Sequence, residues 1–157
     1  MREIVGQDGM RAVLVYLNGL TEHRFTAMYR FDDELLHSTH FYDREHPDLA
    51  SCADIPVAAS YCVFVRESGQ PFATPDAPAD ARVDGHPKQM SMQSYCGVPL
   101  VDANGRMFGT ICHFDPRPLP LDNEAVALME AVASLLPVVP APLQNVSRPA
   151  GGVSRSA

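Results

Sequence analysis

No apolar run in the sequence reaches the ~18–20 residues that a helix needs to span a bilayer. Gly6, Asp8 and Gly9 interrupt the first ten residues and break any signal-peptide core. Basic residues are scarce. There are 12 Lys and Arg against 19 Asp and Glu, a net charge of -7. Two of those arginines, Arg148 and Arg155, lie in the C-terminal stretch, so the rest of the chain is more acidic still. Such a body repels phosphate backbones and anionic lipid surfaces, which excludes the electrostatic footprint of a nucleic-acid or membrane binder. The four cysteines, at 52, 62, 96 and 112, form no Cys-x-x-Cys. With no secretion signal, free thiols and a cytoplasmic location are expected. Metal spacing is also missing. His37 and His40 are three residues apart in a strand-like stretch, where positions i and i+3 face opposite ways, so no metal site is expected.

What is present suits one globular domain. The chain has 157 residues, 46% apolar and 20% charged, enough to bury a core without staples. Met10, Val13, Leu14, Leu17 and Leu20 recur at helical spacing, with Asp8 as N-cap and Gly19 as stop. Residues 24–31 and 35–42 alternate as strands around Asp32-Asp33-Glu34, a hairpin. Asp54 and Pro56 open a short helix over 57–66 that ends near Gly69. Residues 71–74 read as a short strand and 75–93 as a long loop with three prolines. Residues 94–101 and 107–114 are two apolar strands joined across Asn104-Gly105, a strong hairpin signal. Few polar residues interrupt either, which predicts central strands covered on both faces. Asp122 caps a last helix carrying Val126, Met129, Val132, Ala133 and Leu136, stopped by Pro137. The expected organisation is a domain over 1–136 and a flexible Pro/Ser-rich tail over 137–157. The fold class is α/β of the α+β type: an antiparallel sheet with helices on its faces.

Three segments carry a resemblance. Phe72-Ala73-Thr74-Pro75-Asp76-Ala77-Pro78-Ala79-Asp80-Ala81-Arg82, Tyr95-Cys96-Gly97-Val98-Pro99-Leu100-Val101 and Gly109-Thr110-Ile111-Cys112-His113-Phe114-Asp115 are similar, in order and spacing, to motifs of GAF domains. The resemblance implies a GAF-like central sheet of five or six antiparallel strands. Helices from both chain ends pack on one face, and a pocket lies on the other. It implies a sensor or regulatory module in signal transduction. Cyclic nucleotides, haem, tetrapyrroles and small metabolites are the ligands of such domains. No output domain follows the motifs, so a stand-alone module with a signalling-protein partner is expected. A surplus apolar face on the first helix predicts a homodimer through the terminal helices.

For the pocket, Tyr61, Phe72, Met90, Tyr95 and Phe108 are the expected apolar wall, with Met92 beside the entry to the strand. Cys62 and Cys96 are placed with them. Asp76 and Arg82 read as loop formers, Asp80 pairing with Arg82, or as a hold for an anionic ligand group. Three functions stay open. The first is a non-catalytic ligand sensor. The second is a thiol-dependent enzyme resembling the free methionine-(R)-sulfoxide reductases of the same family, with Cys62, Cys96 and Cys112 as the redox candidates. Here the match departs from the reductase pattern, because Cys96 sits inside the strand and not in the loop before it. The third is a dimerisation module whose pocket its own side chains fill. Cys112-His113 offers the letters of bilin attachment on a strand, and His46, His86 or His113 offers one axial ligand to haem. A lone histidine is more often a hydrogen-bonded residue.

Overall fold

The computed structural model describes residues 7–49 and 51–136. The tail expected over 137–157 lies outside them. Helix α1 (Gln7–Gly19) leads into strands β1 (Phe25–Asp32), β2 (Leu35–Asp43) and β3 (Ile55–Pro56). Helix α2 (Cys62–Ser68), strands β4 (Phe72–Thr74), β5 (Ser94–Val101) and β6 (Met107–Asp115), and helix α3 (Asn123–Leu135) complete the order. The six strands form one antiparallel sheet in the order β3-β2-β1-β6-β5-β4. The expected α+β class and both hairpins are present. Strands β5 and β6 are interior, as their unbroken apolar sequence requires.

Two expectations at element ends need correction. Asp8 lies inside α1 rather than capping it. Pro56 does not open a helix. It pairs with Leu35 in the edge strand β3, where a missing N–H costs little. A 3-10 turn over Val57–Ala59 then precedes α2, which is shorter than the apolar stretch suggests. The α2 helix ends at Gly69, whose φ of 70° is the left-handed conformation that glycine adopts without strain. At the other end of the chain Asp122 caps α3, its carboxylate accepting from the Ala125 N–H at 2.8 Å.

The sheet divides the core in two. On one face α1 and α3 bury Met10, Leu14, Leu17 and Met129 against Met28, Cys96, Val98, Leu100 and Ile111. On the other, α2 and the segment after β4 bury Tyr61, Cys62, Val65, Ala77 and Val83 against Ala27, Tyr29, Leu36, Tyr95 and Cys112. Residues 75–93 are therefore a packed cover, with 3-10 turns at Ala77–Ala79 and Ala81–Val83, and not an open loop. Among the described residues no helix is long and apolar enough to cross a membrane.

Two irregularities set which side chains reach which face. The β1–β2 register shifts at Met28/Tyr29, opposite Thr39. The β5–β6 register shifts at Leu100/Val101, where Gly109 and Met107 are paired and Phe108 is skipped. Each extra residue inverts the facing of the strand beyond it.

Candidate functional site

A cavity of about 220 Å³ opens on the sheet face away from α1 and α3. Strands β1 and β6 form its floor through Phe25, Tyr29, Cys112 and Phe114. Phe41 of β2 reaches it from one side and Tyr95 of β5 from the other. Cys52, Ile55, Ser60, Tyr61, Lys88 and Met92 close it from the segments that cross the sheet. Six of these side chains are aromatic, and Lys88 is the one charged residue. Tyr61 sits at the start of α2 and donates its hydroxyl to the Met92 carbonyl at 2.9 Å, tying helix to cover. His86 holds the Ser60 carbonyl at 3.1 Å and lies 4.7 Å from the Tyr61 ring.

Beside the cavity, between α2 and the sheet, lies a cluster of sulfurs and hydroxyls. Cys62 Sγ is 3.2 Å from Tyr95 Oη and 3.2 Å from Thr110 Oγ1. Tyr29 Oη is 3.6 Å from Cys52 Sγ. Burial opposes ionisation of Cys62. Hydrogen bonds from Cys112, Ser60, Thr110 and Tyr95 outweigh it and bring the thiol down to about 6. Burial and the neighbouring Cys62 push Cys112 well above the ordinary thiol range. Tyr29 and Tyr95 are pushed up chiefly by burial. All four cysteines are free thiols.

The cysteines and apolar residues expected at the site separate into four groups. Tyr61 and Tyr95 line the cavity, and Cys62 lies beside it next to Cys112, which lines it. Phe72 stands one layer behind, 4.7 Å from the Phe64 ring and 6.3 Å from that of Tyr95. Met90 is 69% exposed, and its neighbour Met92 lines the cavity instead. Cys96 and Phe108 pack on the opposite face with α1 and α3. For Cys96 the cause is plain strand alternation, since Tyr95 takes the cavity side. Burial, then the charge of Glu130, pushes the Cys96 thiol up to about 12, a buried apolar role. For Phe108 the cause is the irregularity beside it.

Asp76 and Arg82 do not line the cavity. Arg82 grips Asp80 through two nitrogens, at 3.0 and 2.6 Å, and donates to the Ala73 carbonyl at 2.7 Å. Its guanidinium lies 4.6 Å from the centre of the Phe72 ring. Arg82, its first and strongest partner, holds the Asp80 carboxyl at about 2. Asp76 precedes the earlier 3-10 turn, Ala77–Ala79, without a side-chain capping bond. Both serve the cover of the core.

His86 packs on two lining residues, Ser60 and Tyr61, without lining the cavity itself, and the other histidines named from sequence lie farther off. His113 bonds Thr26 Oγ1 at 2.7 Å and stacks on His23 at 5.8 Å, on the α1 side of the sheet. His46 is exposed in the segment after β2. His37 pairs with Asp54 at 2.9 Å. Among the described residues no group of three or more His, Cys, Asp or Glu could hold a metal ion. Phe25, Phe41, Ile55, Ser60, Lys88 and Phe114 were not singled out from sequence. Phe25 and Phe114 were legible, because both alternate in phase with Tyr29 and Cys112. Phe41 was not, because only the irregularity at Thr39 turns it toward the cavity.

A curled antiparallel sheet with terminal helices on one face and a covered cavity on the other is a GAF-like α/β fold. The chain belongs to the GAF domain family, whose model matches residues 2–138. No curated protein matches the sequence. Several solved structures share the fold. A type II free methionine-R-sulfoxide reductase from Thermoplasma acidophilum is 19% identical, with a TM-score of 0.63, over 85% of this chain and 90% of that one. The GAF domain of a phosphoenolpyruvate-protein phosphotransferase from Acinetobacter is 10% identical, with a TM-score of 0.63, over 82% and 77%. The cyanobacteriochrome receptor PixJ is 18% identical, with a TM-score of 0.65, over 82% and 90%.

Proposed function

We propose that this domain is a non-catalytic, cytoplasmic sensor that takes a small molecule into the cavity over β1 and β6 and passes its occupancy to a signalling partner. The observation that carries the reading is the cavity itself, about 220 Å³. Side chains of a module built only for pairing would fill that space. The terminal helices support a homodimer as the output. Val15, Tyr16 and Leu20 of the α1 region and Leu128 and Leu135 of α3 are exposed, Tyr16 at 65% and Leu135 at 80%. Apolar side chains gathered on one face favour burial against a second copy.

The thiol-reductase reading draws support from Cys62 and Cys112. They meet beside the cavity, with Cys112 facing it and Cys62 the more acidic of the two. Reduction of a sulfoxide by this pair would release the sulfide and one water and leave a Cys62–Cys112 disulfide. Free methionine sulfoxide, however, is a zwitterion, and no Asp or Glu lines the cavity to receive its ammonium group. The sensor reading is therefore preferred. Native mass spectrometry of the purified protein tests it. A retained small molecule supports sensing. A bare mass, together with turnover of methionine sulfoxide that Cys112→Ser abolishes, replaces the sensor with the enzyme.

A further inference from the structure

The chemistry of the cavity wall selects among ligands, and this inference rests on the sensor reading above. Most of the wall is aromatic or aliphatic. Its hydroxyls are already engaged: Tyr61 with the Met92 carbonyl, Tyr95 with Cys62, Tyr29 with Cys52. Ser60 Oγ accepts from the Cys62 N–H at 3.1 Å. Little hydrogen-bonding capacity remains for a purine, a ribose or a peptide-like ligand. A buried polar group without a partner is costly, so the body of the ligand must be apolar.

Lys88 breaks this apolar wall. It is half-buried, it lines the cavity, and among the described residues no carboxylate is paired with it. The lining holds no Asp or Glu. A chain of net charge -7 has acidic groups to spare, yet none stands here. The cavity therefore offers one positive charge and no negative one. That pattern suits a ligand with a single negative charge and rejects cations and zwitterions.

Size narrows the choice further. A cavity of roughly 150 Å³ takes a benzene ring, and this one is about 220 Å³. One ring and a short side arm match that space. Flat aromatic walls favour offset or edge-on ring contacts with such a group.

We propose that the cavity binds a small aromatic monocarboxylate, its ring held among Phe25, Phe41, Tyr95 and Phe114 and its carboxylate paired with Lys88. The arrangement couples a desolvated ring to a charge-assisted contact. The ring supplies the affinity and the ion pair selects the charge.

Calorimetric or NMR titration of the full chain tests this with three probes of one shape: phenylacetate, phenylacetamide and phenylalanine. The expected result is saturable binding of phenylacetate, about tenfold or more tighter than the neutral amide, with phenylalanine weaker than either. Lys88→Met, confirmed as folded by an unchanged thermal midpoint, should erase the preference for acid over amide while leaving amide binding in place. Equal binding of acid and amide, or a preference that survives Lys88→Met, overturns the role of Lys88. Absence of phenylacetate binding overturns the ligand class. A different molecule retained in native mass spectrometry then shows that the sensor reading stands without it. A bare mass with no binding of any probe removes both.

Discussion

Tyr95 Oη and Cys62 Sγ lie 3.2 Å apart, joining the β5 strand to the start of α2 beside the cavity. Thr110 meets the same sulfur from β6 at 3.2 Å. The contact does two things at once. It locks the Tyr95 ring across the floor, and it stabilises the thiolate form of Cys62. Tyr95→Phe keeps the ring and removes one donor. The Cys62 thiol should then titrate higher than in the parent protein, read as thiolate absorbance against pH. Stability should fall by about 1 kcal/mol, the usual worth of one buried hydrogen bond.

Acid should weaken the fold before carboxylates protonate. His23 is lowered from 6.5 to about 4, first by burial, with Arg44 and Arg117 adding to the effect against Asp115. His113 is lowered to about 3 by burial, then by His23 and Arg44. Between pH 6.5 and 4 the unfolded chain takes up these protons and the folded one does not. Stability therefore falls as pH falls through that window. The drop for His23 alone amounts to roughly 3 kcal/mol by its lower end. Asp43 and Asp115 are lowered from 3.8, Asp43 chiefly by Arg24, and Asp115 by Arg117 against the effect of burial. Their contribution is lost only below that value. Urea unfolding at pH 7.5, 6 and 5 should show the histidine slope. A flat profile down to pH 5 would contradict it.

Two glycines in neighbouring strands should respond differently to one methyl group. A Cβ at Gly109 would overlap the Tyr29 backbone carbonyl of the paired strand β1. A Cβ at Gly97 would meet only the outer end of the Tyr95 ring. Backbone cannot move aside without opening the sheet, whereas a ring can tilt. Gly109→Ala should cost roughly 2–4 kcal/mol, or prevent folding. Gly97→Ala should cost about 1 kcal/mol and alter ligand binding more than stability. Thermal melts of both variants, paired with titration of phenylacetate, separate the two effects.

The proposed dimer predicts its own disruption. Tyr16→Asp with Leu128→Asp places charge on exposed positions of α1 and α3 without touching the core. Light scattering should report a dimer for the natural sequence at tens of micromolar and a monomer for the double variant, with the monomer's thermal midpoint close to that of the parent. A natural chain already monomeric at that concentration would sink the pairing.

The sequence made the architecture legible because its signals were local. Asn104-Gly105 fixes one hairpin, Asp32-Asp33-Glu34 the other, and Asp122 starts α3. The cavity was legible only in part, because its wall depends on strand parity. Tyr95 and Cys96 are neighbours in a regular strand, so only one of them was ever able to face the cavity. Phe41 lies beyond one register irregularity and Phe108 is the residue skipped at the other, which reverses their faces. Gly109, next to Phe108, was the available hint, since glycine within a strand often marks such a site. Lys88 and Cys52 carried no periodic signal. They reach the cavity through long-range packing of the segments that cross the sheet.

Along β6, Ile111 seats the terminal helices and Cys112 lines the cavity. In β1, Met28 and Tyr29 divide the same way, and in β5 so do Cys96 and Tyr95. The cavity face and the helix face are thus interleaved on one ribbon, a single peptide bond apart, with no intervening side chains. On the proposed sensor reading, a reporter dye fixed to the outer surface of α1 would stand one helix and one sheet away from a molecule in the cavity, close enough to turn this small domain into an optical gauge of its occupancy.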